Sequence, residues 1–399
     1  MRILYLTNGF PFPLTSGYLR HYHMIRGLSE RHEVTLLSMI GRSFTSEHRD
    51  ALAPFTSRIQ TFAQANGKRS KASKAVATLR SSIPGARPER MVEEMRAAVI
   101  RALKEEHYDL VVFSGKRTYP AIAGVRGIPV VADICDATSV RIRGRMRHCG
   151  LGRLPMLGLE YLQVRAVERR LMQQVSHLVF ASCRDREALV GADTSRSTII
   201  PNGVDLDYWT RQSARRGRNT IVLTGAMDYA PNGDAAFHLM EEILPLVRRS
   251  VPGTKCFIVG RDAPRKLIEA GERNGACVTG MVPDVRPYLE QATVFVAPLR
   301  FGAGIQNKLL EAMALGVPVV ASSLAADGLR TEDGEVPPVA LANTPQEYAE
   351  KIVQLLNQAQ DDPAPDREAR RFVERNFVWA RGTEKLERVM TSLMGRNGK

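Results

Sequence analysis

Short, uninterrupted apolar runs alternate with longer amphipathic stretches along this chain, and that alternation constrains its fold more than any other feature. Residues 3–7, 34–38, 110–113, 130–133, 178–181 and 198–201 are strand candidates, most of them continuous in apolar residues, with helical periodicity between them at 18–29, 90–106 and 159–175. Strands that are apolar on successive residues are buried on both faces, as in a parallel sheet covered by helices. The pattern then restarts: runs at 220–225, 255–260, 278–280, 294–298 and 319–322 are separated by helical stretches at 234–250, 265–275, 285–292 and 305–315. Breakers and a charged run at 201–219 mark a linker, so a boundary is expected near 203–217. The expectation is an α/β protein of two doubly wound, Rossmann-like domains facing a cleft, at residues 1–205 and 206–370, with a final helix over 371–399 returning to the first domain. In such sheets ligands bind beyond the carboxyl ends of the strands.

The net charge of +14 is carried unevenly. Residues 1–205 hold 31 Lys and Arg against 18 Asp and Glu, whereas 206–399 hold 25 against 24. The excess sits at 66–104 (net +7) and 141–170 (net +6). Such patches meet phosphate-bearing partners or are simply solvated surface. Five cysteines without a CxxC pair indicate neither a disulfide framework nor a zinc site, and point to a reducing cytosol. The first residues read as a strand rather than a signal segment, and no apolar run is long enough to span a bilayer. Residues 151–162, apolar between arginines, read either as a core-packed helix or as an element lying on a membrane surface.

The chemistry concentrates in residues 294–322, VFVAPLRFGAGIQNKLLEAMALGVPVVAS: strand, glycine loop, helix, turn, strand. Gly302 and Gly304 allow close backbone approach to a ligand. Gly304, Ile305 and Gln306 are expected to open the helix, making an anion site of their amides. Lys308 adds a full charge one turn in, and Arg300 is a second candidate cation. Glu311 lies about 9 Å deeper at about 1.5 Å per residue, a spacing that suits a diphosphate at the helix tip and ribose hydroxyls on the carboxylate. The competing reading is an ordinary Lys308–Glu311 helix pair. Asp205 and Asp207, in a turn, are not read as a metal pair; no P-loop occurs, and no metal site is expected.

Glu311-Ala312-Met313-Ala314-Leu315-Gly316 and Pro318-Val319-Val320-Ala321 resemble the nucleotide motif of glycosyltransferase family 4, retaining enzymes of the GT-B fold. Pro201-Asn202-Gly203-Val204-Asp205 resembles that family's interdomain turn, Gly225 its glycine turn, and Gly260 with Met281 and Val282 the strand ends that hold the base. Residues 8–17 resemble the first-strand loop, whose Gly17 would approach donor and acceptor. Arg300 and the Gly-Ile-Gln-Asn-Lys run at 304–308 are similar to a bacterial subset associated with exopolysaccharide clusters. Three positions depart from the family. Ala303 stands where a first glutamate is usual. The Arg and Lys expected after the 220–225 strand are missing. Cys135, beside Asp133 and Asp136, stands where a histidine is usual.

The resemblance implies a metal-independent hexosyltransferase that uses a UDP- or GDP-sugar as substrate, with no other cofactor. Lys308, Arg300, Glu311 and Asp136 are its implied catalytic residues. Gly17, Gly225, Gly260, Met281, Val282, Gly304, Ile305, Gln306, Lys308 and Glu311 are its implied donor contacts. It further implies a glycan or lipid-linked acceptor near Gly17 and residues 133–141, exopolysaccharide or glycoconjugate synthesis, and a cytoplasmic place with peripheral contact to the inner membrane face through 66–104 and 141–170. No nucleic-acid partner is expected. A sugar-nucleotide epimerase of the same fold, a secondary-metabolite glycosyltransferase and a non-catalytic binding protein are the alternatives.

Overall fold

The structure is a computed structural model that describes residues 1–14, 18–41, 43–63, 89–212, 217–362 and 364–397. It divides into two compact units, one of Met1–Ala181, Asp185–Ile200 and Trp379–Lys399, the other of Ser182–Arg184 and Pro201–Val378.

The first unit holds a seven-stranded sheet. Its strands are β1 (Arg2–Thr7), β2 (Glu33–Ile40), β3 (Arg58–Ala63), β4 (Leu110–Ser114), β5 (Val130–Ile134), β6 (His177–Phe180) and β7 (Ser197–Ile199). They lie in the order β3-β2-β1-β4-β5-β6-β7, every pairing parallel. The uninterrupted apolar runs are explained at once. Leu4 and Leu6 enter the core on one face of the sheet, while Ile3 and Tyr5 enter the core on the other. The strand absent from the sequence reading is β3, an edge strand whose RIQTFA alternates and leaves only Phe62 buried. The chain re-enters this unit at Trp379. The helix Trp379–Asn397 packs on Leu19–Ser29, bringing Trp379, Leu386, Met390 and Leu393 into the core of Met24, Ile25 and Leu28. Trp379 stacks on His23 at 4.6 Å.

The second unit holds a six-stranded sheet. Its strands are β8 (Thr220–Thr224), β9 (Lys255–Val259), β10 (Cys277–Gly280), β11 (Val294–Ala297), β12 (Val319–Ala321) and β13 (Ala340–Leu341). Their order is β10-β9-β8-β11-β12-β13, again all parallel. In both sheets the order reverses once, between β1 and β4 and between β8 and β11, and this reversal opens the crevice in which open α/β sheets bind ligands. Three helices, Pro345–Asp361, Arg367–Asn376 and Trp379–Asn397, make the tail.

Two local expectations change. The helix expected from residue 305 begins at Asn307 and runs to Ala314, so Gly304, Ile305 and Gln306 form the loop before it. The helix expected from residue 159 begins at Leu154, with Pro155 in its first turn, where the missing N–H costs nothing. In its apolar N-terminal half Leu157 is buried, while Met156, Leu159 and Leu162 are exposed.

Candidate functional site

The glycine turns of the second unit bring three strand ends together. Gly225 follows β8 and donates its N–H to Val259, while Gly260 follows β9 and donates to Gly280 at the end of β10. Gly260 has φ of 154°. A Cβ there would come within 1.7 Å of the Gly225 carbonyl oxygen, so the backbones touch where only glycine fits. A Cβ on Gly225 would meet Asn232 at 2.5 Å.

Asn232 is the residue the sequence did not single out. It sits on the helix Ala230–His238 after β8 and is buried. Its amide donates to the Ala226 carbonyl at 3.0 Å, and its Oδ1 accepts from Lys308 Nζ. Lys308 stands on the helix after β11, so this bond spans the point where the strand order reverses. It replaces nothing visible in the motif: Asn232 lies 76 residues before its partner.

Lys308 and Glu311 form a coupled pair. Burial pushes the Lys308 ammonium down to about 8, with the Glu311 carboxylate opposing the shift. Burial pushes Glu311 up to about 7, opposed by Lys308. Burial thus moves both groups toward neutrality, a kind of perturbation that clusters at functional sites. Asn232→Asp places a second carboxylate on Lys308. If this site takes the nucleotide diphosphate that the sequence resemblance implies, affinity for it is expected to fall at least about ten-fold, because a fixed anion occupies the cation, whereas Asn232→Ala loses less. Calorimetric titration with UDP and GDP measures both.

Tyr208 is a second unforeseen neighbour. The Glu311 charge is one of the causes that raise its hydroxyl pKa, after burial and Asp284. Arg286 lies over the Tyr208 ring at 4.0 Å and forks Asp284 at 2.7 and 2.9 Å. Arg286 thus covers the Tyr208 ring. Met281, in the same loop as Asp284, is exposed, and Val282 is half-buried against the core.

Arg300 is held in an ion pair. Its Nε and one terminal nitrogen donate to the two oxygens of Asp234 at 2.8 and 2.6 Å. This exposed guanidinium ties the loop after β11 to the Ala230–His238 helix. Gly304 has φ of 69°, and the loop it turns is buried at Gln306 and half-buried at Ile305. Asp205 accepts from the N–H groups of Asp207 and Tyr208, so the Asp-Leu-Asp run makes a turn.

In the first unit a cavity of about 400 Å³ opens at the strand ends beside the β1/β4 reversal. Asn8, Lys116, Asp136, Arg141 and Glu168 contribute its polar lining. Lys116 pairs with the buried Glu168 at 2.7 Å. Asp136, half-buried, accepts from Thr138 at 3.1 Å and faces Arg141 at 3.4 Å. Asp133 is held instead by Arg20, which clamps both of its oxygens at 2.9–3.0 Å in a buried pair. Cys135 Sγ lies 3.7 Å from His21 Nε2. Burial pushes this thiol up to about 12 and the imidazole down to about 4, so both are neutral at physiological pH. His21, Asp133 and Cys135 bring possible metal ligands within 4.8 Å of one another, but the Arg20 charge beside Asp133 opposes a cation there. Gly17 lies outside the described residues.

Comparison with known proteins follows this geometry. Residues 218–358 match the family described as Glycosyl transferases group 1. The phosphatidyl-myo-inositol mannosyltransferase of Mycobacterium tuberculosis is 28% identical over 217 residues, covering 51% of this chain and 56% of that protein. The lipopolysaccharide core biosynthesis mannosyltransferase LpcC of Rhizobium leguminosarum is 26% identical over 275 residues, covering 63% of this chain and 75% of that protein. The chain thus spans about half the length of the first of these relatives. Among solved structures, HepE of Anabaena in complex with UDP and glucose superposes with a TM-score of 0.66 at 13% identity, covering 98% of this chain and 100% of that one. Sucrose-phosphate synthase of Thermosynechococcus elongatus gives 0.69 at 15% identity, covering 99% and 100%. Residues 218–358 are therefore a glycosyl transferases group 1 domain, in a chain with the GT-B fold of those solved structures.

Proposed function

We propose that this chain is a metal-independent, retaining glycosyltransferase that moves a sugar from a UDP- or GDP-sugar to a glycan or lipid-linked acceptor. The observation that carries the reading is the Lys308–Asn232 bond at the reversal of the second sheet, with the Glu311 carboxylate one turn further along the same helix. Glu311 accepts the two ribose hydroxyls. Lys308 and the N–H groups of the Gly304–Gln306 loop receive the diphosphate. The bond from the anomeric carbon to the phosphate oxygen breaks as the acceptor oxygen bonds to that carbon. The departing phosphate oxygen takes the acceptor's proton. Charge grows on the phosphate in the transition state, and a preorganised ammonium stabilises it there more than in the ground state.

The acceptor belongs in the first-unit cavity, where Asp136 and Asn8 are hydroxyl partners and Lys116 and Arg141 suit an anionic group. The names of the mannosyltransferase relatives support a glycolipid acceptor. Exopolysaccharide or glycoconjugate synthesis at the cytoplasmic membrane face is the setting we assign. No described helix is long and apolar enough to cross a membrane.

The pH profile follows from the pair. Ribose binding needs ionised Glu311 and phosphate binding needs protonated Lys308. The free protein's kcat/KM is expected to rise up to about pH 7 and to fall above about pH 8. A bound diphosphate raises the Lys308 pKa, so the alkaline limb of kcat lies higher than that of kcat/KM.

The reaction is tested by incubating GDP-mannose, UDP-glucose and UDP-galactose with the protein, with and without a bacterial lipid extract. Sugar transferred only with extract, with the donor's anomeric configuration kept, supports the reading. An epimeric nucleotide sugar formed without extract, or an inverted product, overturns it.

A further inference from the structure

We infer that Arg184 is a positioning residue for the transfer: its guanidinium holds the Gly304 carbonyl, and so aims and strengthens the Ile305 N–H that meets the outer phosphate of the donor. The assignment rests on the reading of this loop as the seat of the diphosphate. Ser182–Arg184 is part of the second unit, although it lies outside residues 218–358. Arg184 is half-buried. One terminal nitrogen donates to the Leu324 carbonyl at 2.5 Å, and the other donates to the Gly304 carbonyl in a longer bond of 3.4 Å. Leu324 belongs to the short helix Ser323–Asp327 after β12, and Gly304 to the loop after β11. One side chain therefore ties together the ends of two paired strands.

The same carbonyl is confined on a second side. A Cβ on Gly328 would come within 2.9 Å of the Gly304 oxygen. Gly328 has φ of −62°, which any residue adopts, so its missing side chain is used for space and not for conformation. At the far end of the loop, Asn202 Nδ2 donates to Asn307 Oδ1 at 2.8 Å in a buried bond. The loop is thus held at both ends. A trans peptide carries its C=O and N–H on opposite edges, so fixing the Gly304 oxygen fixes the direction of the Ile305 N–H. A charged donor on that oxygen also polarises the peptide and makes the N–H a stronger donor. Arg184 then acts on the phosphate through a peptide without touching it, and an amide aimed beforehand needs no reorganisation as charge grows on the leaving group. Glu311 lies deepest on the helix and Lys308 nearer its tip. With ribose on Glu311, the phosphate farther from the ribose is the one that reaches Ile305.

Calorimetric titration of the full chain with UDP and GDP, and with UMP and GMP, tests the assignment. Wild type is expected to bind the preferred diphosphate more tightly than its monophosphate. Arg184→Met is expected to weaken the diphosphate at least about ten-fold and the monophosphate less than about two-fold, and Arg184→Lys to recover part of the loss. Gly328→Ala keeps the cation and pushes on the same carbonyl, and is expected to give the same selective loss, so the test stands even where Arg184→Met fails to fold. Unchanged diphosphate affinity in Arg184→Met and Gly328→Ala overturns the proposal. So does an equal loss of mono- and diphosphate, which shows general loosening of the unit. Wild type that binds neither UDP nor GDP overturns the diphosphate reading itself, and this inference with it.

Discussion

Glu311→Gln is expected to lower kcat/KM for sugar transfer by at least about 10²-fold while the protein melts at the same temperature or higher. The amide keeps the shape of the carboxylate and loses its charge. Each ribose hydroxyl then exchanges a charge-assisted acceptor for a neutral one, and one of the two meets an NH₂ donor instead. The stability side follows from the pKa. Folding raises Glu311 from 4.5 to about 7, because burial disfavours the carboxylate more than Lys308 favours it. An acid of this kind costs the fold stability progressively as pH rises from about 4.5 through about 7, and the cost persists above that range. Glutamine removes the cost at pH 8. Steady-state kinetics beside a thermal melt separate the two effects; a variant inactive only because it has unfolded would contradict the assignment.

Lys308→Met is expected to lower kcat about 10²–10³-fold with a smaller change in KM. The ammonium is buried and aimed by Asn232, so no reorganisation is needed as charge develops on the leaving phosphate. Burial has lowered the Lys308 pKa to about 8, so holding the charge costs stability as pH falls from 10.5 through about 8. Methionine keeps the stem packing and removes that cost. A variant whose KM rises while kcat is unchanged would show that Lys308 holds ground-state donor equally well and does not act on the transition state.

Both sheets were legible in the sequence because their central strands are mostly continuous in apolar residues, a consequence of burial on two faces. Edge strands escape that rule: β3 alternates and β13 is two residues long. Lys308 and Glu311 were readable because they share a helix and a motif. Asn232, Tyr208 and Arg286 were not, since each reaches the site only through the folding of a different strand-end loop. The pairing of Arg300 with Asp234, 66 residues earlier, is invisible until β8 and β11 lie side by side. The apolar run near residue 155 had two readings, and only the exposure of Met156, Leu159 and Leu162 separates them.

The central claim is that the strand-end site of the second unit binds a nucleotide sugar through Glu311 and Lys308. Thermal shift of wild type, Glu311→Gln and Lys308→Met with UDP-, GDP-, dTDP- and ADP-sugars tests it most directly, because a ligand that binds only the folded state raises the melting temperature. The account predicts a shift of wild type by at least one of these nucleotides, strongly reduced in both variants. No shift with any of them, or equal shifts in all three proteins, would contradict it.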